Sequence, residues 1–484
     1  MWGTLTFMAI MAGLFVAIFL FAAPLMDAAE AAVGWLGERI AAFLPAEGPI
    51  KDLWTDGIVA GVGGVIVFVP QIAMLFLFLA VLEDSGYLAR AAFLMDRLLG
   101  KLGLNGKSFI PLLSSHACAI PGIMAARTIE NRQDRMATIF VAPFMSCSAR
   151  LPVYGLLIGA FFASYSSWVK GGILFACYAL GILAAVATAV LFRKTFLKGA
   201  SNSFVLELPT YKVPQIGQIL RVMWTNTWAF VSRAGTIIFA LSVILWAMAY
   251  YPRLSPDGVA NAKEQAVDRY NSQKQHWQGW TEGLKSNPTL EPPEPLQAGD
   301  DLESPRIIAG YSVREAISGG VALKRDVELT FVESTSFEEE AVAAAQLEQS
   351  ISGRLGHLIE PVIRPLGYDW KMGVGLIASF AAREVFVAQM GIVYAAGDAE
   401  EDAAPLEQAM VADTDASGAK VWTPAVAISL LVWFVLAMQC ISTTAIVYRE
   451  TGGWRWPLFQ LAYMNALAYV GALIAFQVAV RLIV

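Results

Sequence analysis

Charged side chains are scarce in this chain. Only 15% of its 484 residues are Asp, Glu, Lys or Arg, whereas 57% are hydrophobic and the mean hydropathy is +0.56. This composition excludes a water-soluble fold with a polar shell and predicts a polytopic membrane protein in contact with the lipid bilayer. The net charge of −6 gives no sign of a nucleic-acid partner, because the acidic residues are concentrated in two hydrophilic loops.

Cysteine and histidine are also rare. The four cysteines, Cys118, Cys147, Cys177 and Cys440, all lie inside apolar segments, so we interpret them as free thiols and not as a disulfide framework. With three histidines, and with neither a His-Glu-x-x-His nor a Gly-x-Ser-x-Gly pattern, the chain lacks the usual motifs of an intramembrane hydrolase. We therefore expect that the protein is not an enzyme.

Long apolar runs are what the chain has in abundance. A helix needs about 20 residues to cross about 30 Å of hydrocarbon. Besides the long runs, two apolar stretches, 108–126 and 371–396, are less regular. The pattern predicts an all-α fold with about seven to nine transmembrane or broken helices. The long runs lie near 4–25, 57–82, 136–162, 168–192, 223–250, 421–447 and 457–483.

The stretch 108–126 has the features of a re-entrant segment. Basic residues flank it on both sides, so both of its ends are expected in the cytoplasm. Pro111, Pro121 and Gly122 would break the helix by removing backbone donors and loosening the turn. The flanking basic residues are Arg90, Arg97, Lys101 and Lys107 before the stretch and Arg127, Arg132 and Arg135 after it.

The stretch 371–396 is predicted to enter the membrane from the opposite side. When Arg449 is placed in the cytoplasm, the acidic loop 397–420 falls outside. The hydrophilic insertion 251–350 also falls outside, either as a partly helical cap on the membrane domain or as a variable loop without a role in transport. The N-terminus is then cytoplasmic.

Two opposed re-entrant segments are typical of inverted-repeat transporters. A local pattern supports a possible inverted repeat, since Met145-Ser-Cys147 and Met438-Gln-Cys440 are each followed by Val-Tyr. The predicted organisation is a first membrane half, 1–250, which contains 108–126, an external insertion, 251–350, and a second membrane half, 351–484, which contains 371–396.

Polar side chains within apolar segments are the candidate functional groups, because each costs free energy in hydrocarbon unless it is paired or binds something. Cys118 lies in the first broken segment beside His116, and Cys147 is flanked by Met145 and Ser146. Thiolate sulfur suits late first-row divalent metals. A single buried cysteine, by contrast, is usually a small hydrophobic residue.

The remaining intramembrane polar residues include candidates for a purely structural role. Glu384, next to Arg383, could bind or relay a cation, or the two could form a structural pair with each other or with a neighbouring helix. Arg150 is expected to hold backbone carbonyls or a carboxylate. Cys177 has no polar neighbours in sequence and is expected to be structural.

Several segments resemble the membrane domain of the ferrous iron transport protein B (FeoB) family, with its paired Gate motifs of the nucleoside-recognition type. The block 82–154 is the most specific part of this resemblance, which covers nearly all predicted spans. The matching segments are Leu82–Asp96, Gly106–Leu113, Cys118–Met124, Pro143–Tyr154, Ala382–Val385, and Cys440 followed by Arg449–Gly452.

The resemblance implies transport of ferrous iron, or of a related divalent transition metal, across the bacterial cytoplasmic membrane. It implies that 108–126 and 371–396 are Gate segments and that three cysteines are the pathway thiols. Fe²⁺ is then the substrate, with no permanently bound cofactor. The candidate metal-binding residues are Cys118, Cys147, Cys440, Glu384, His116, Met145 and Ser146.

Three departures from the family pattern bear on partners and selectivity. The family normally has an N-terminal GTP-binding domain, and Gly106-Lys107-Ser108 is no P-loop because Lys101 stands where that motif needs glycine. A separate GTPase subunit, a small accessory protein and a homo-oligomer are therefore the partners to consider. Gln439 replaces the usual proline before Cys440, and His116 the usual aromatic residue, so selectivity among Fe²⁺, Zn²⁺, Co²⁺ and Mn²⁺ stays open.

A carrier of an organic solute such as a nucleoside is the alternative function. Its cavity would be lined by amide and aromatic groups, for which Gln71, Asn226 and Trp228 are the candidates.

Overall fold

The computed structural model describes residues 2–44, 48–101, 104, 106–195, 211–286, 308–318, 321–331, 334–394, 403–413 and 420–483. The helices before the insertion are α1 Trp2–Ala41, α2 Pro49–Asp52, α3 Ala60–Ile66, α4 Val69–Asp84, α5 Tyr87–Lys101, α6 Phe109–Ala117, α7 Ala119–Ala125, α8 Arg132–Val141, α9 Leu151–Phe162, α10 Ser167–Lys194, α11 Ile216–Phe230 and α12 Thr236–Tyr250. Two π-helical segments, Leu53–Val59 and Val231–Gly235, join α2 to α3 and α11 to α12.

The insertion and the second half complete the order of elements. The insertion contains α13 Pro256–Ser286, the strands β1 Ile308–Ser318 and β2 Val321–Phe331, and α14 Ser334–Gln349. The second half contains α15 Ile351–Ile363, α16 Trp370–Ala378, α17 Val385–Val393, α18 Ala404–Ala412, α19 Pro424–Leu436, α20 Ile441–Thr451 and α21 Arg455–Ile483.

The all-α membrane fold predicted from the sequence is confirmed. Within the described residues, five stretches are long and apolar enough to cross a membrane. The predicted run 223–250 is divided between α11 and α12, and the run 4–25 lies in α1, where most side chains fall outside the described residues. The five stretches are Pro49–Asp84, Arg132–Phe162, Ser167–Lys194, Pro424–Thr451 and Arg455–Leu482.

The stretch 108–126 is a helical hairpin. The helix α6 ends at Ala117, and α7 begins at Ala119 and folds back along α6. At Gly122 the two helices are so close that an added Cβ would lie 2.6 Å from the carbonyl oxygen of Pro111. The nine residues of α6 span about 14 Å, roughly half the hydrocarbon thickness, as a re-entrant segment requires.

The stretch 371–396 contains a second hairpin of the same kind. The helix α16 ends at Ala378, and α17 begins at Val385 after a short bend. A Cβ on Gly375 would lie 2.7 Å from Cε of Met390 and 2.8 Å from the ring of Phe386, so glycine permits the close packing of α16 on α17.

Each hairpin is followed by an interrupted helix. In the first half the interruption separates α8 from α9, and in the second half it separates α19 from α20. The recurrence of hairpin and interrupted helix in both halves is what an internal repeat predicts. The opposite orientation of the two halves in a bilayer, and the division into parts at 250 and 350, stay predictions.

The insertion holds an antiparallel β-hairpin between its two helices. The sequence prediction of a partly helical cap did not include these strands. Both ends of the insertion are joined by Gln346, whose amide nitrogen donates to the carbonyls of Tyr250 and Pro252, both at 2.9 Å. Its amide oxygen accepts from the backbone nitrogen of Leu254 at 2.8 Å.

Candidate cation pathway

A cavity of about 1840 Å³ lies between the two hairpins and the two interrupted helices. It extends as far as the helices of the insertion, where Val259, Lys263 and Gln346 line it. Its wall includes five of the seven candidate metal-binding side chains, namely Cys118, Cys147, Cys440, Met145 and Glu384.

Cys118 forms the tip of the first hairpin. Its backbone is extended, with φ −155° and ψ 136°, and its nitrogen still donates to the Ser114 carbonyl at 3.1 Å. Pro121 falls in the first turn of α7, where a helix does not need that backbone donor. The local sequence therefore ends one helix and starts another at the cysteine, which places its side chain on the cavity wall.

Cys147 lies in the interruption between α8 and α9. Pro143 causes this interruption. Proline has no N–H, so the carbonyl of Ile139 loses its helical donor. The amide of Gln460 in α21 donates to this carbonyl at 3.2 Å, and the hydroxyl of Tyr463 donates to the Phe140 carbonyl at 2.7 Å. A distant helix thus satisfies the backbone that the interruption exposes.

Arg150 satisfies the other carbonyls of this interruption. It is fully buried, and its guanidinium donates to Pro143 O at 2.9 Å and to Phe144 O at 3.1 Å. The expectation that it holds backbone carbonyls is confirmed. Arg150 is not among the residues that line the cavity.

Cys440 lies in the interruption between α19 and α20, again with an extended backbone, φ −159° and ψ 106°. Arg383 from the second hairpin donates to the Ala437 carbonyl at 3.1 Å. The Ile441 nitrogen donates to the Phe380 carbonyl at 3.0 Å. The tip of the second hairpin is therefore bound to this interruption. The sequence left open whether Arg383 pairs with Glu384 or contacts a neighbouring helix, and the structure shows the contact to the end of α19.

The lining groups are close but do not form a closed metal site. Cys118, Cys147, Cys440 and Glu384 lie near enough to interact electrostatically. In the part of the chain that the structure describes, no three or more His, Cys, Asp or Glu side chains converge as a preformed ligand set. Such a lining can offer ligands in succession, whereas a structural metal site holds its ion with a complete shell.

Two predicted ligands are turned away from the cavity. The Nδ1 atom of His116 lies 3.1 Å from the carbonyl oxygen of Leu112, and His116 is not among the lining residues. The hydroxyl of Ser146 accepts from Arg150 at 3.2 Å and also lies off the lining. Cys177 is buried in the apolar core, away from the cavity, in agreement with its predicted structural role.

The structure adds polar groups to the lining that the sequence did not single out. Ser442 is 1% exposed, and its hydroxyl faces no hydrogen-bond partner. Gln389 has a buried amide nitrogen in the same situation. Both line the cavity, as does Glu407. Ser442 follows Cys440 by two residues, and this spacing was the only sequence signal that could have identified it.

Comparison with known proteins gives the family. The family model of the Gate domain, described as "Nucleoside recognition", matches residues 65–161 and 231–454. A second model, "Ferrous iron transport protein B C terminus", matches residues 174–226. No solved structure gives a match.

Three relatives illustrate the similarity. The Fe(2+) transporter FeoB of Leptospira interrogans serovar copenhageni is 40% identical over 99% of this chain and 58% of its own length. An Fe(2+) transport protein A/Fe(2+) transporter FeoB fusion protein of Porphyromonas gingivalis is 37% identical over 94% of this chain and 47% of its own length. The Fe(2+) transporter FeoB of Staphylococcus aureus strain COL is 34% identical over 89% of this chain and 49% of its own length.

The chain therefore spans about half the length of these relatives. The Gate model nevertheless covers more than half of the chain, in both membrane halves. The chain belongs to the Gate family, as a member of its FeoB group.

Proposed function

We propose that this chain conducts Fe²⁺, or a related divalent transition metal, across the bacterial cytoplasmic membrane through the cavity described above. The observation that carries the proposal is that Cys118, Cys147 and Cys440, from three separate helix breaks, line one cavity together with Glu384. The names of the relatives support ferrous iron as the substrate.

The chemistry follows from the ligand types. A hydrated Fe²⁺ ion that enters the cavity exchanges part of its water for a carboxylate oxygen and for sulfur. A thiol gives up its proton when it binds the metal, because only the thiolate is a good ligand. The open arrangement of the ligands keeps binding weak enough for release. No permanently bound cofactor is required.

The decisive test is metal uptake into proteoliposomes. We expect simultaneous replacement of Cys118, Cys147 and Cys440 by serine to lower Fe²⁺ uptake at least about tenfold, since loss of even an outer-shell partner of a metal ligand costs about 10- to 100-fold in affinity. Cys177→Ser is the matched control, because this thiol lies outside the cavity. Full uptake by the triple variant would refute the thiol-lined pathway.

The proposed orientation puts the N-terminus in the cytoplasm and the insertion outside. It is supported by the distribution of basic and acidic loops. An impermeant thiol reagent added to intact cells should label an Asn261→Cys variant in α13, an exposed position. Labelling only after the cells are opened would reverse the orientation.

The proposed partners are a GTPase, as a separate chain or as another part of the protein, and a small accessory protein. The name of the Porphyromonas gingivalis fusion protein, which joins Fe(2+) transport protein A to FeoB, supports the small accessory protein. Uptake by this polypeptide alone, compared with uptake after addition of each partner, tests both proposals. A homo-oligomer is proposed with them, and its mass in detergent can be measured by light scattering.

Transport of an organic solute is the second candidate. It is favoured by the description "Nucleoside recognition" and by a cavity volume of about 1840 Å³, and Gln71 lines the cavity. Asn226 and Trp228 are not among the lining residues. Uptake of a radiolabelled nucleoside, unaffected by the triple serine replacement, would favour this candidate over metal transport.

A further inference from the structure

One carboxylate of the cavity wall comes from the segment 397–420, which the sequence predicted only as an external acidic loop. We call the part of the cavity beside this segment the outer cavity. Glu407 lies in α18, which packs on α9, and its side chain lines the cavity. Its carboxylate lies directly against Gly159 of α9. The Cβ of any other residue at position 159 would overlap with this carboxylate. Glycine at 159 thus makes room for the carboxylate.

The position of Glu407 along the cavity can be read from α9. This helix begins at Leu151, shortly after the Cys147 interruption, and Gly159 follows eight residues later. At 1.5 Å per residue the separation is about 12 Å, or slightly more than two turns. Glu407 therefore lies about two helical turns along α9 from its first residue, and Cys147 precedes that residue by four positions.

The cavity wall carries further polar side chains besides Glu407 and the thiols. Gln389 of α17 lines it, with an amide nitrogen that is buried and has no hydrogen-bond partner. Glu384 immediately precedes α17. Gln389 follows it by five residues, little more than one helical turn. Glu407, Gln389 and Glu384 thus give one cavity wall three oxygen-bearing side chains in addition to the thiols.

We propose that Glu407 is a cation-binding residue of the outer cavity, which receives a divalent metal ion before the thiols do. This inference rests on the proposed function and adds a first binding step to it. Carboxylate oxygen binds a cation that still keeps most of its water, whereas sulfur prefers a partly dehydrated late transition metal. A negative charge on a cavity wall also raises the local concentration of cations.

The first test changes the charge and keeps the shape of the side chain. We expect Glu407→Gln to raise the Fe²⁺ concentration for half-maximal uptake at least about tenfold, the lower end of the effect of disturbing a metal ligand. The maximal rate should change less, because the thiols remain. Glu348→Gln, at an exposed position of α14 off the cavity, is the matched control and should behave like the parent protein.

The second test changes the space beside the carboxylate. Gly159→Ala should displace Glu407 and shift half-maximal uptake in the same direction as Glu407→Gln. Gly172→Ala in α10 is the matched control, since its added methyl group would meet nothing within 4 Å and the residue does not line the cavity. An unchanged half-saturation in both Glu407→Gln and Gly159→Ala would overturn the inference.

Direct binding separates this inference from the proposed function. Mn²⁺, which prefers oxygen ligands, should bind the detergent-solubilised triple serine variant, and the added Glu407→Gln replacement should weaken that binding at least about tenfold in electron paramagnetic resonance titrations. Equal Mn²⁺ binding with and without the replacement would refute the role of Glu407. If the triple serine variant loses uptake while Glu407→Gln keeps it unchanged, the proposed function stands and this inference fails.

Discussion

At the scale of single residues, buried arginines hold the backbone where the helices are interrupted. Arg150 binds the carbonyls of Pro143 and Phe144, and Arg383 binds that of Ala437. Each break leaves carbonyl groups without helical donors in an apolar setting, where an unsatisfied polar group is costly. Both positive charges therefore serve the backbone at the breaks. Arg383 also lies on the cavity wall, whereas Arg150 does not.

Replacement of Arg150 by methionine tests this role. We expect a loss of about 2 to 6 kcal/mol in stability, because two buried carbonyls lose their donors at about 1 to 3 kcal/mol each. The measurement is thermal unfolding in detergent. Arg132→Met, at an exposed position of α8, is the control. Equal unfolding temperatures for both variants would show that the guanidinium contacts contribute nothing.

At the scale of elements, the two hairpins depend on glycine at their crossing points. Gly122 approaches Ser115 and the Pro111 carbonyl so closely that no side chain fits between α6 and α7. This contact fixes the hairpin, and the hairpin in turn holds Cys118 at its tip.

Gly122→Ala should force α6 and α7 apart. The expected destabilisation is about 1 to 3 kcal/mol, as for other overpacked interiors. Gly172→Ala in α10, where a methyl group meets nothing within 4 Å, should be neutral. Unfolding temperature reports stability, and the rate of Cys118 modification by a thiol reagent reports the hairpin tip. A variant with the parental values of both would contradict the packing described here.

The base of the second hairpin contains a partly buried carboxyl. Asp369, which precedes the re-entrant segment, caps α16 by accepting from the Met372 nitrogen at 2.9 Å. Burial, aided by the carboxylates of Asp413 and Glu360, raises the pKa of Asp369 to about 6 from an ordinary value of 3.8, against the opposing effects of the Met372 N–H and Lys371. The folded protein thus holds this proton more tightly than the unfolded chain.

The pH dependence follows from that difference. Between pH 3.8 and about 6 the folded state binds more protons at Asp369 than the unfolded state, so its contribution to stability falls as pH rises through this window. Asp369→Asn retains the cap and removes the titration. We expect the variant to gain up to about 3 kcal/mol over the parent protein above pH 6, and little below pH 4. A gain that is independent of pH would argue against this explanation.

At the scale of the whole molecule, the insertion is part of the cavity wall and not a detached loop. Its helices contribute Val259, Lys263 and Gln346 to the lining. Gln346 also joins the start of the insertion to its end through three hydrogen bonds to the backbone. This arrangement favours the cap over the variable loop, the two readings that the sequence left open.

Gln346→Leu tests the attachment of the insertion. Loss of the three hydrogen bonds should loosen α13 and α14 and accelerate limited proteolysis within the insertion by about tenfold, the effect of about 1.4 kcal/mol on the population of an open state. Gln349→Leu, at an exposed position of the same helix, is the control. Identical cleavage of both variants would show that the Gln346 contacts do not hold the insertion.

Local sequence was sufficient to predict several parts of this molecule. Pro111, Pro121 and Gly122 indicated the first hairpin, because proline and glycine act on the backbone within a few residues. The β-hairpin of the insertion was also within reach. Gly319-Gly320 between two runs with β-branched residues is a hairpin signal, which low apolar content obscured.

The sequence by itself determined the membrane class and the broken stretch 108–126 with Cys118. It predicted 136–162 and 421–447 as continuous runs, so the helix breaks at Cys147 and Cys440 were decided by the structure. Only the tertiary structure decided which polar groups share the cavity. Glu407 reaches it from α18, in a stretch that the sequence predicted as a loop, whereas His116 turns to its own helix. The physical reason is that proline removes a backbone donor locally, but the replacement donor can come from anywhere. For Ile139 it comes from Gln460, more than 300 residues away.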